Sequence, residues 1–249
     1  MSIFNILAKP LGYVMTWLYG MVGNYGISLI IFTVVIKLIL YPFYKKQILS
    51  TSGMSDIQPK MRAIQNRYAN DPTTMNEKMR ELYKEEGVSP TAGCLPMVVQ
   101  MIILMGMFAL LGRPLSFISS EKMVFAIHES FLWIQDLSQP DPWILPILSG
   151  VATFASFYMS SENGAMPGGA AGAGNNAMMN IMKYGFPIMV IWLAKTYAAG
   201  LAIYWFISQF IQIFYNIRFN QIRRKMAKEK AEAKKKKRRP VRAGQGVVK

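Results

Sequence analysis

The chain has 249 residues, of which 52% are hydrophobic and 16% charged, with a mean hydropathy of +0.22 and a net charge of +15. A soluble domain carries nearer a quarter charged residues, so this balance excludes an ordinary soluble fold. One cysteine, Cys94, and one histidine, His128, exclude an intramolecular disulfide, a Cys/His metal cluster and a His-based catalytic triad. No enzyme, cofactor or metal site is expected.

In chain order, residues 1–25 do not read as a cleaved signal. Lys9-Pro10 interrupts the apolar run, no basic region precedes it and no A-x-A site follows. Leu11, Val14, Met15, Leu18 and Val22 fall on one helical side, with Tyr13, Trp17 and Tyr19 as interface anchors. This fits an external helix lying in the membrane plane better than a span. Residues 26–44 are apolar over the roughly 20 residues a span requires, yet contain Lys37. A lysine there costs about 2.5–3.5 kcal/mol on insertion scales, so it calls for a function.

The polar segment 45–92 predicts a helical hairpin. Pro59 stands near the start of its first helix, while Asp71 as cap, Pro72 at the first position and Gly87 as stop bound the second. Ile57, Met61, Ile64 and Tyr68 share one face, and Met75, Met79, Leu82 and Tyr83 another. Further spans are predicted at 94–112, 143–160, 182–197 and 199–217, with an external loop at 113–142 and a Gly/Ala-rich connector at 161–181. The tail 218–249 is expected to continue the last helix through Lys237 and then lose structure.

Charge sets the expected topology. Beyond Ile217, fourteen Lys and Arg face only Glu229 and Glu232, so +12 of the net charge lies in the tail. Segment 45–92 has more basic than acidic residues, and 113–142 the reverse. Both basic segments are therefore expected in the cytoplasm and the N-terminus outside. The expected fold is all-α and polytopic: five transmembrane helices with a cytoplasmic helical hairpin.

Polar residues recur inside the predicted spans. Trp205, Ser208, Gln209, Gln212 and Asn216 fall within about a third of the last helix. Ser149, Thr153, Ser156 and Ser160 repeat the spacing on the third span; Thr33, Lys37, Tyr41 and Tyr44 do so more loosely on the first; Gln100 lies on the second. Packing hydroxyls and a snorkelling lysine are the bland reading. Convergence of these faces on a wet groove is the sharper one, because polar groups in hydrocarbon need water or one another. No acidic residue lies in any predicted span, so such a groove would be positively charged. It would suit a transient guest with acidic or polar residues, such as a polypeptide segment crossing the membrane.

The strings "IIFTVVIKLILYPFYKKQ", "IQPKMRAIQNRY", "MRELYKEEGVSPTAGCLPMVVQM", "FLWIQDLSQPDPWILPIL" and "GLAIYWFISQ" resemble the YidC/Oxa1/Alb3 family of membrane protein insertases over about residues 10 to 225. The resemblance implies five spans around a positively charged hydrophilic groove. It implies insertion of nascent membrane proteins in the bacterial cell membrane, alone or with the Sec translocon and signal recognition particle machinery. It also implies a basic tail that meets the ribosome. Lys37 stands at the family's groove arginine, Gln100 at its second-span glutamine and Trp205 at its last-span aromatic. The groove set is then Lys37, Thr33, Gln100, Ser156, Trp205, Ser208, Gln209 and Gln212. The tail set is Lys234, Lys235, Lys236, Lys237, Arg238 and Arg239, which could also meet anionic lipids. Phe157 and Ile102 depart from a glutamine and a proline common in the family. Without a long external domain or transit peptide, the chain resembles the short bacterial type. A small-molecule or ion transporter using Lys37 as counter-charge, and a bare ribosome anchor, are the competing readings.

Overall fold

A computed structural model describes residues 3–87, 95–112, 121–162 and 180–238. Among these the regular structure is helical, apart from an isolated bridge between Phe131 and Ile134. Helix α1 spans Ile3–Val22, α2 Tyr25–Arg67, α3 Pro72–Glu85, α4 Leu95–Gly112 and the short α5 Glu121–Ala126. Helix α6 spans Ile144–Glu162, a π-helical turn Ile181–Gly185 leads into α7 Phe186–Thr196, and α8 spans Ala199–Arg238. Among the described residues two stretches, Tyr25–Lys45 and Ile144–Ser161, are long and apolar enough to cross a membrane; Met101–Leu111 is a shorter apolar stretch. The glycine-rich part of the expected connector, 163–179, lies outside the described residues.

Pro59 is not a helix start. The first predicted span and the first hairpin helix are one helix of 43 residues, which passes through both Pro42 and Pro59. An interior proline costs about 3 kcal/mol of helix stability. Packing offsets that cost, because Ile57 and Met61, flanking Pro59, are buried against Met75, Met79, Leu82 and Tyr83 of α3. The hairpin's second arm follows its local signals. Asp71 accepts the Thr74 amide at 3.1 Å, Pro72 opens α3, and Gly87 takes the left-handed φ of 62° that ends the turn.

Helix α1 also runs through its proline, Pro10. On its apolar side Met15 and Leu18 are buried and Val14 is exposed, and Tyr13 and Trp17 are exposed. Helix α1 packs mainly on α4 and α2. Helix α8 occupies the middle of the assembly, with α2 and α6 against it; α7 packs on α6. Helices α6 and α7 approach closely at Gly150, where an added Cβ would collide with Ile191.

One loop joins the N-terminal ends of three helices. The Glu129 carboxylate accepts the Tyr25 amide at 2.8 Å in the first turn of α2, and also the Tyr19 hydroxyl from α1. That second bond raises the Tyr19 pKa above its ordinary value, because the carboxylate favours the neutral phenol. The Leu137 and Gln139 carbonyls accept the Gly200 and Ala199 amides at the start of α8, at 3.0 and 2.8 Å. Buried Asp141 accepts the Trp143 and Leu145 amides at 3.0 and 3.2 Å at the start of α6, and the Trp133 indole at 2.8 Å. Carboxylates at these positions satisfy orphan amides and complement the helix dipoles.

Candidate functional site: a polar chain across three helices

The polar stripe of α8 faces α2 on one side and α6 on the other. Lys37, only 5% exposed, donates from Nζ to Gln212 Oε1 at 3.4 Å, joining α2 to α8. Gln212 Nε2 donates to Asn216 Oδ1 at 3.4 Å, and Asn216 Nδ2 donates to the Ser156 carbonyl at 3.0 Å, reaching α6. A second α6–α8 link runs from the Trp205 indole to Thr153 Oγ1 at 2.9 Å. The Thr153 hydroxyl donates to the Ser149 carbonyl at 2.6 Å, and the Ser149 hydroxyl to the Ala202 carbonyl at 3.3 Å. Buried polar groups are stable when bonded in this way, and the bonds fix which helix faces meet.

Not every expected residue joins this chain. Thr33 is buried, but its hydroxyl returns to its own helix, donating to the Leu29 carbonyl at 2.7 Å. Ser208 is buried, with no hydrogen-bond partner for its Oγ among the described residues, and Gln209 is also buried. Ser156 contributes its carbonyl at the junction. Gln100 lies on α4, and its side chain falls outside the described residues. Lys234, Lys235, Lys236, Lys237 and Arg238 continue α8 with side chains outside the description, and Arg239 lies beyond it.

Among the described residues, an apolar cavity lies next to this chain. A space of about 420 Å³ lies between α4, α7 and α8, lined by Met101, Leu104, Met105, Met189, Leu193 and Leu201 among others. Trp205 borders both regions, with one edge in the cavity and its indole N–H on Thr153. Phe157 adds to the apolar side: its ring stands edge-on to Phe186 at 5.1 Å, and Phe186 leans on Trp205 at 6.2 Å. The sequence stripes mark the polar residues, but not which of them bond one another and which bond helix carbonyls.

Tyr215 belongs to the site although the sequence analysis did not place it there. Its hydroxyl donates to the Lys37 carbonyl at 2.8 Å. The available signal was its position three residues beyond Gln212, which puts it on the same side of α8.

Apolar helices with a lysine and amides buried among them define the class: a helical integral membrane protein with a polar seam. The chain matches the family described as 60Kd inner membrane protein over residues 17–229, and it belongs to that family, which includes the YidC insertases. A relative from Fusobacterium nucleatum, the membrane protein insertase YidC, is 36% identical over 85% of this chain and 93% of its own. One from Caldanaerobacter subterraneus, of the same name, is 35% identical over 83% of this chain and 90% of its own. The Haemophilus influenzae YidC is 36% identical over 83% of this chain, which spans only 35% of that relative. A crystal structure described as an active YidC insertase with its first transmembrane domain resolved superposes with a TM-score of 0.59 at 27% identity. It covers 86% of this chain and 46% of that one.

Proposed function

We propose that this protein is a membrane protein insertase that moves hydrophilic segments of newly made membrane proteins through a groove along α8. The observation that carries the reading is Lys37, buried between α2 and α8 and bonded into a chain of amides rather than extended to a helix end. An acidic residue of a guest about 7 Å away gains about 2 kcal/mol at an effective dielectric near 20. Gln212 and Asn216 keep amide N–H and oxygen lone pairs beyond the bonds they make in the seam, and a passing backbone takes these in place of water. The apolar cavity beside them receives the guest's hydrophobic segment, and its methionines adapt to varied shapes. No covalent step is required.

In this reading five spans cross the cell membrane, with the N-terminus outside and the hairpin and tail in the cytoplasm. The caps made by Glu129, Leu137, Gln139 and Asp141 then close the outer end. Depletion of the protein, followed by quantitation of the membrane fraction, tests the function. Selective loss of newly made membrane proteins is expected, and a solute-specific defect without such loss would overturn it in favour of a transporter. Photocrosslinkers at Met105 and Gln212 should capture a stalled client, whereas one at outward-facing Ile147 should not. Equal capture from all three would reject the proposed path.

The tail is proposed to meet ribosomal RNA, with nascent chains, the Sec translocon, signal recognition particle machinery and anionic lipids as further partners. Helix α8 extends to Arg238, which carries the lysine run away from the span. Phosphate contacts release counterions and are steeply salt-dependent. Truncation after Ala227 should leave the protein folded in the membrane while weakening ribosome co-sedimentation, most strongly at low salt. Unchanged co-sedimentation across salt concentrations would remove the ribosome from the proposal.

A further inference from the structure

The seam's electrostatics depend on where the Lys37 ammonium sits, and its surroundings bear on that depth. Lys37 and Tyr44 are separated by about 10 Å of helix. A lysine stem can extend along such a path toward a polar surface. Here the Nζ lies 5.4 Å from the centre of the Tyr44 ring. That ring belongs to a buried cluster with Tyr215 and Phe219, against which Tyr41 packs. Tyr41 meets Tyr215 edge-on at 5.2 Å and stacks on Phe219 at 5.9 Å, while Tyr44 and Tyr215 lie 6.3 Å apart. The rings occupy the side toward which the stem would extend.

The same cluster is tied to the backbone of Lys37. Pro42 lacks an N–H, so the Leu38 carbonyl has no helical donor and the adjoining turn of α2 is weakened. The Tyr215 hydroxyl bonds the neighbouring Lys37 carbonyl at 2.8 Å and thereby fastens this turn to α8. Cation–π attraction to Tyr44 and the Gln212 oxygen then hold the ammonium from two sides.

We infer that Tyr41, Tyr44, Tyr215 and Phe219 form an aromatic collar that stops Lys37 from snorkelling and fixes the depth of its charge. Tyr44 and Tyr215 are its positioning residues. The importance of that depth for clients rests on the insertase reading; the collar itself does not.

The test is labelling of Lys37 in the full-length protein in membrane vesicles by a water-soluble amine reagent, measured by mass spectrometry. Lys78, on the exposed hairpin surface, serves as the internal reference. Tyr44→Met keeps much of the volume but removes the ring, and should raise Lys37 labelling about threefold or more as the ammonium moves outward. Tyr44→Phe keeps the ring and should restore wild-type labelling, which a general loosening of the fold would not predict. Tyr215→Phe removes one hydroxyl and should raise labelling to a smaller extent. If Tyr44→Met accumulates poorly, the Tyr215→Phe result decides alone. Unchanged labelling in the variants, or an equal rise in Tyr44→Phe and Tyr44→Met, overturns the collar. Raised labelling with full insertion activity keeps the collar and overturns the proposed role of Lys37 in insertion.

Discussion

Lys37→Glu is expected to abolish insertion of clients whose translocated segments are acidic, and Lys37→Arg to retain it. In the proposed mechanism the wild-type charge would attract a client carboxylate by about 2 kcal/mol, and glutamate would repel it by a similar amount. The swing of about 4 kcal/mol corresponds to roughly a thousandfold in the occupancy of the passage. Arginine keeps the charge and can still donate to the position of Gln212 Oε1, although its planar fork needs a small shift of the neighbouring amides. Clients with neutral segments should lose much less in Lys37→Glu, because the amides of Gln212 and Asn216 remain. Reconstituted vesicles with a matched pair of acidic and neutral clients measure the difference. Equal activity of wild type and Lys37→Glu on the acidic client removes electrostatic attraction from the mechanism.

Asp141→Ala should destabilise the folded protein by about 3 kcal/mol, the largest loss expected from any change in the loop that caps the helices. The carboxylate is buried and accepts three donors, two α6 amides and the Trp133 indole, which alanine leaves without a partner. Unsatisfied buried donors cost more than the net value of the bonds they lose. Asp136, eight residues from His128, is the control. Its partners are the partly exposed His128 and Ser138, so Asp136→Asn should change stability by about 0.5 kcal/mol or less. Thermal unfolding in detergent, followed by loss of monomer, measures both. Similar losses for the two variants would show that Asp141 is no more than a surface cap.

Sequence alone determined the features that are settled within one helical turn. Asp71, Pro72 and Gly87 bound α3 because a cap, a preset φ and a left-handed residue act on their nearest neighbours. The polar positions of α8 were legible because helical periodicity alone puts them on one side, and the same helix was predicted to continue past Arg218. The family was legible from ordered strings spread over most of the chain.

Pro59 shows where local signals end. Its helix-breaking tendency is opposed by burial of Ile57 and Met61 against α3, a contribution that exists only after the hairpin closes. Which apolar residues of α1 are covered is likewise set by the neighbouring helices, which bury Met15 and Leu18 and leave Val14 exposed. The tertiary structure likewise decided that Lys37 meets Gln212 and Tyr215, more than 170 residues away in sequence, and that Glu129 caps a helix beginning at Tyr25. It also placed an apolar cavity beside Trp205. A stripe records which side of a helix is polar. Its partners are chosen when all the helices pack together, since only then do the buried donors and acceptors come within bonding distance.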